Sequence, residues 1–204
     1  MKTTLLRIIA MAALAATLAV NSLQAAAKVG QAAPAFTLTD IGGKTHNLAD
    51  FKGKTVVLEW VNQECPFVVK HYASGNMPAL QKSATADGVV WLLVNSGKPG
   101  AQGDFAPAKV GEWATRHNAA FTAYFRDQDG KVGKAYGAKT TPQMFVINKD
   151  GVLVYDGAID SISSTDRDDV PKAKNYVTAA LAALKAGKPV EVGNTKPYGC
   201  SVKY

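Results

Sequence analysis

The residues best suited to chemistry in this chain are its two cysteines, Cys65 in "WVNQECPFVVKHY" and Cys200 in "YGCSVKY", the last seven residues. Cys65 stands directly before Pro66. Proline is favoured at the first position of a helix, where its missing N–H leaves no bond unmade. Cys65 is therefore the expected N-cap. A sulfur placed there faces unpaired backbone N–H groups and the positive end of the helix dipole, which lowers a thiol's pKa and enlarges its thiolate fraction. The expectation is a nucleophile, or at least a poised thiol, open to outside molecules. The same two residues also admit a purely structural bridge. A Cys65–Cys200 disulfide would close a very long loop, and chain entropy assigns such a bridge about 5 kcal/mol. On the residues alone both readings stand.

The elements that position these thiols begin after a leader. Lys2 and Arg7, the apolar run "IIAMAALAATLAV" and "AAA" at Ala25 to Ala27 read as a secretory signal over residues 1–27. An uncleaved anchor is the alternative, although the apolar run is short for a span of about 20 residues. The expected mature protein is periplasmic or secreted, without stable membrane association, in a compartment that permits disulfides. Its length suits one domain with a sizeable core. We expect that domain over residues 28–186, followed by a tail over residues 187–204 that carries Cys200. The formal charge of +7 includes Lys2 and Arg7, and the remaining lysines are scattered rather than interleaved with aromatics. That pattern argues against a nucleic-acid partner. The chain has no G-x-G-x-x-G, G-x-x-x-x-G-K-[ST] or H-E-x-x-H, so neither a nucleotide site nor a zinc-protease site is expected, and no cofactor.

Strand and helix character alternate along the domain, the pattern of an α/β protein with helices packed on a central sheet. "KTVVLEWVN" (54–62) and "GVVWLLVN" (88–95) are apolar without a strict period of two, as central strands buried on both faces should be. A helical crossover between them makes them parallel, and ligands in such sheets lie off the carboxyl ends of the strands, where Cys65 falls. "PQMFVINKDGVLVYDG" reads as an antiparallel hairpin turning at Lys149, Asp150 and Gly151. Val177, Ala180, Leu181 and Leu184 mark one face of a closing helix, with Asp168, Asp169 and Pro171 at its expected start. "FTLTD" and "THNL" form a short leading pair, and "NSGKPGAQGDFAPAK" is a long loop of the kind that often serves function.

A strand, a cysteine at the mouth of a helix, a later "TTP" before a hairpin and a closing helix resemble the thioredoxin fold. "NQECPFVVKHY…MPALQK" together with the terminal "YGCSVKY" resembles the peroxiredoxin-like (redoxin) family of that superfamily, over about Val29 to Tyr204. The resemblance implies a mixed central sheet flanked by helices and a thiol oxidoreductase with antioxidant or peroxide-reducing relatives. The chain departs from those relatives in two ways. Val68 stands where thioredoxins carry the second cysteine of C-x-x-C. Cys65 matches the first cysteine of that motif, with Asn62 and Leu58 where the peroxidase pattern has threonine and proline, so the resemblance does not extend to the peroxidase motif.

With the vicinal thiol missing, Cys200 is the candidate resolving partner, beside a glycine that allows close approach and on a tail able to fold back. The alternative is that it only pins the tail. A resolving role means exchange through a mixed disulfide on Cys65, with a thiol- or disulfide-bearing protein or a small thiol as partner. By the same resemblance Glu59, six residues before Cys65, matches a buried acid that relays protons, and desolvation in a central strand should raise its pKa. Thr141 and Pro142 match a cis-proline segment that faces the active cysteine and pairs with extended substrates, and Pro66 completes the expected binding surface. A second class of function is a copper- or metal-handling protein using Cys65 and His71, with His117 and Met77 as further soft ligands. His71 lies off the same-face spacing from Cys65, and we expect it, His117 and His46 at the surface.

Overall fold

The computed structural model describes residues 26–204, so all but the last two positions of the expected leader lie outside the described residues. Strands β1 (Thr37–Thr39) and β2 (Thr45–Asn47) form a small antiparallel pair, followed by a 3-10 turn over Leu48–Phe51. The sheet proper comprises β3 (Val56–Trp60), β4 (Val90–Asn95), β5 (Ala123–Arg126), β7 (Gln143–Ile147) and β8 (Leu153–Gly157). Their order is β5-β4-β3-β7-β8, with β3, β4 and β5 parallel, β7 antiparallel to β3, and β8 antiparallel to β7. This is the α/β architecture expected of the thioredoxin fold.

All five residues of β3 and all six of β4 are buried, the condition that makes their sequences apolar throughout. The two-residue period still sorts their side chains. Val56, Leu58 and Trp60 join Leu92, Phe125 and Phe145 in one layer, closed by α4 (Lys131–Tyr136) and Phe36. Val57, Val61, Trp91 and Leu93 face the other layer, beneath α1 (Pro66–Ala73), α2 (Asn76–Ala86), α3 (Pro107–His117) and α5 (Tyr176–Lys185). Glu59 belongs to this second layer and is fully buried there, which sets up an electrostatic cost treated below.

Three local features depart from the sequence expectation. The crossover after β3 is two helices rather than one, because the chain turns at Gly75 in the left-handed region (φ 76°) before α2 begins. Helix α4 has only six residues, too short for its periodicity to be read in advance. The closing helix does not begin at Asp168 and Asp169, which sit in a 3-10 turn over Arg167–Lys172. Its cap is Asn175, whose side chain accepts a hydrogen bond from the Thr178 N–H at 2.9 Å. Asn175→Ala is expected to lower stability by about 1 kcal/mol, measurable in urea unfolding as a lower midpoint with unchanged slope. No helix among the described residues is long and apolar enough to cross a membrane.

Candidate active site

Cys65 follows β3 by a short turn held from within. Its N–H donates to the Asn62 carbonyl at 3.0 Å, and the Glu64 N–H donates to Asn62 Oδ1 at 2.9 Å. The long loop packs against this turn, with the Gly103 N–H on Glu64 Oε2 at 2.7 Å and Asn62 Nδ2 reaching the Gln102 carbonyl. Cys65 is the N-cap of α1 and Pro66 its first residue, so the local geometry is the one that Cys-Pro encodes.

The tail supplies the other half of the site. After α5 the chain crosses β8, where the Asp156 N–H donates to the Gly193 carbonyl, the Thr195 N–H donates to the Asp156 carbonyl, and Thr195 Oγ1 accepts the Ala158 N–H at 2.9 Å. It then forms β9 (Cys200–Ser201), antiparallel to β6 (Thr140–Thr141), with Cys200 in register opposite Thr141. The Thr141–Pro142 peptide bond is cis. Gly199 has φ 133°, and an added Cβ would collide with the Thr141 carbonyl. Only glycine permits so close a backbone approach. Beyond it, the Val202 N–H donates to the Lys139 carbonyl, the Lys98 N–H to the Lys203 carbonyl, and Tyr204 Oη to the Ala138 carbonyl at 2.8 Å.

The two sulfur-bearing residues are thus brought together across 135 positions of sequence. The Cys200 N–H lies 3.4 Å from Cys65 Sγ, and Cys65 Sγ donates to the Thr141 carbonyl at 3.0 Å. Both cysteines are free thiols in this structure. Burial by itself raises the pKa of Cys65. The Cys200 thiol, the Thr141 side chain and the N–H groups of Val68 and Cys200 outweigh burial and hold the thiol below its ordinary range. For Cys200 burial and the facing Cys65 sulfur work in the same direction and push the thiol up to about 11. The pair is electronically asymmetric, one sulfur a good leaving group and the other a poor one.

One expectation is corrected here. Cys65 was expected to be open to outside molecules, and it is 0 % exposed, because β9 lies across it. Cys200 remains partly exposed. Glu59 is not brought into contact with either sulfur. Its carboxylate accepts from Trp91 Nε1 at 2.8 Å, Tyr72 Oη at 2.9 Å and Gln81 Nε2 at 3.2 Å, and burial raises its pKa to about 7 despite those donors.

The histidines also differ from expectation. His46 is buried beside Asp40 at 2.7 Å, and His71 is 0 % exposed. Asn76 Nδ2 donates to His71 Nδ1 at 2.9 Å, while His71 Nε2 meets Tyr198 Oη at 3.2 Å. Tyr198 Oη in turn donates to Asp160 Oδ1, which lies on the far side of the same pocket. Burial pushes His71 down to about 4, so at neutral pH the ring is uncharged, accepting at Nδ1 and donating at Nε2. With both nitrogens engaged, His71 has no lone pair to share with Cys65 for a metal. Met77 is likewise packed in the core, and no cluster of three or more His, Cys, Asp or Glu able to hold a metal ion occurs among the described residues. Tyr198 was missed by sequence reasoning. Its place two residues before Cys200 was the one available signal, and it acquires meaning only once the pocket of His71 and Asp160 is known.

Comparison with known proteins agrees with this geometry. The Redoxin family model matches residues 28–177. The chain is 33% identical over 152 residues to the thiol-disulfide oxidoreductase ResA of Geobacillus thermodenitrificans, covering 72% of this chain and 80% of that one. It is 31% identical over 143 residues to the chloroplastic peroxiredoxin Q of Populus jackii, covering 65% and 61%. Among solved structures, an uncharacterized conserved protein from Geobacillus kaustophilus superposes with TM-score 0.75 at 30% identity, over 87% of this chain and 92% of that one.

Proposed function

Because this chain belongs to the Redoxin family, we propose that it is a thiol oxidoreductase working by thiol–disulfide exchange, with Cys65 and Cys200 cycling between dithiol and disulfide. The observation that carries this reading is the β6–β9 register, which sets Cys200 opposite Thr141 with its N–H on Cys65 Sγ. Cys65 is the internal nucleophile, since its thiol is the more acidic of the two and starts a helix. Cys200 takes the resolving role that C-x-x-C would otherwise fill. A reduced form stabilised by an acidic Cys65 favours a more oxidising couple. Partners in this reading are molecules that carry a thiol or a disulfide, and the leader pattern supports placing the protein outside the cytoplasm, where such pairs persist.

The test is a mass measurement on wild-type protein. Mild oxidation is expected to remove two hydrogen atoms and, after proteolysis, to yield a single Cys65–Cys200 linked pair that a dithiol reverses. Two unlinked thiols after oxidation, or a bridge that dithiol proteins leave intact, would overturn the reading.

A further inference from the structure

The terminal strand occupies the place a substrate would need. β9 satisfies the backbone of Thr141, the segment against which an extended peptide would pair. The cavity bordered by Asn62, Asn95, Thr141, Ser201 and Val202 amounts to about 10 Å³, at most one water. With the tail docked, no second molecule reaches Cys65, whereas Cys200 stays on the accessible side of the pair.

What holds the tail there is a side chain inserted into the body of the domain. The Tyr198 ring packs against Phe67 of α1, with centroids 5.7 Å apart, and its hydroxyl completes a directed chain. Asn76 Nδ2 donates to His71, His71 Nε2 donates to Tyr198, and Tyr198 donates to Asp160. Both His71 and Asp160 are buried, so withdrawing Tyr198 takes the hydrogen-bond acceptor from His71 Nε2 and leaves Asp160 Oδ1 with the Ile162 N–H alone, where neither group has much access to water. Tyr198 is therefore a positioning residue for Cys200.

Resting on the exchange reading above, we infer that the C-terminal strand is a built-in substrate strand, latched by the Tyr198 hydroxyl, and that Cys200 rather than Cys65 is the sulfur at which external thiols and disulfides exchange. In the reducing direction an incoming thiolate from a dithiol partner attacks Cys200 Sγ of the Cys65–Cys200 bond. That bond breaks, its electron pair leaves on Cys65 as thiolate, and a mixed disulfide forms on Cys200. The partner's second thiolate then attacks the partner's own sulfur in that mixed disulfide. Cys200 departs as thiolate and takes a proton from water, while the partner becomes a disulfide. Oxidation retraces these steps, with Cys200 attacking the incoming disulfide and Cys65 then expelling the partner. The mixed disulfide on Cys65 expected from sequence has no route of entry while the tail is docked.

The experiment uses oxidised full-length protein and, as probe, a thioredoxin whose second cysteine is replaced by serine, quenched in acid and mapped by mass spectrometry. The expected adduct is on Cys200, with Cys65 free. An adduct on Cys65, or equal adducts on both, overturns the inference while leaving the exchange reading intact. Absence of any Cys65–Cys200 disulfide in the oxidised protein overturns both. A second arm tests the latch in reduced protein. Tyr198→Phe keeps the ring on Phe67 and removes only the hydroxyl, and it is expected to speed iodoacetamide modification of Cys65 by about tenfold or more. An unchanged rate in that variant overturns the latch and with it the inference.

Discussion

Cys65→Ser is expected to abolish turnover, lowering the steady-state rate of exchange with glutathione disulfide and a dithiol donor by about a thousandfold or more. The reason lies in the asymmetry of the pair. With Cys65 gone, Cys200 loses the facing sulfur but keeps the burial that raises its pKa, so at pH 7 its thiolate remains a minor form. Such a variant forms a mixed disulfide slowly and then stops, because no neighbouring thiolate remains to expel the partner. Cys200→Ser stops at a different point. Cys65 keeps its place at the mouth of α1, but it lies beneath the tail and has no sulfur opposite it. The two variants therefore separate in single-turnover experiments, where Cys65→Ser accumulates one slow adduct and Cys200→Ser accumulates little. Wild-type turnover in Cys65→Ser would remove the chemical basis of the proposed function.

The second large effect concerns pH. Two buried groups in the α1–α2 layer titrate in opposite senses. Glu59 has a folded pKa of about 7 against an ordinary 4.5. Between those values the folded state holds a proton that the unfolded chain has lost, so the Glu59 contribution to stability falls as pH rises from about 4.5 to 7. His71 has a folded pKa of about 4 against an ordinary 6.5. Between those values the unfolded chain holds the extra proton, and the His71 contribution rises with pH until about 6.5. Each shift corresponds to about 3 kcal/mol. The two slopes oppose each other over pH 4.5–6.5, so wild-type stability is expected to change little across that window. Single variants should unmask the components. Relative to wild type, Glu59→Gln is expected to gain up to about 3 kcal/mol as pH is raised from about 4.5 to 7, and His71→Gln to lose a similar amount between about 4 and 6.5. Urea unfolding at fixed ionic strength across pH 4–8 reads both. Parallel pH profiles for wild type and Glu59→Gln would show that the carboxyl titrates as in water.

Much of the framework was legible in the amino-acid order because it rests on local rules. Cys-Pro announced an N-cap. The unbroken apolar runs around Val56–Trp60 and Val90–Asn95 announced strands covered on both faces. "NKDG" announced the reversal between β7 and β8. Each signal is carried by residues within one element. Helix α4 and the cap at Asn175 escaped because six residues hold less than two turns, and because several side chains near Asp168 had equal claim to start a helix.

By itself the sequence determined that one thiol would begin a helix at the end of a central strand, inside an α/β domain of redoxin type, and that any partner sulfur must come from the tail. Only the tertiary structure decided the rest. It closed the 135-residue separation of the cysteines through the β6–β9 register, covered Cys65, and turned His71 from an expected surface residue into the floor of a pocket that receives Tyr198. The physical reason is that these are contacts between segments far apart in the chain. Their register depends on where the backbone reverses and on how closely Gly199 lets two strands approach, and neither is encoded in the spacing of nearby residues.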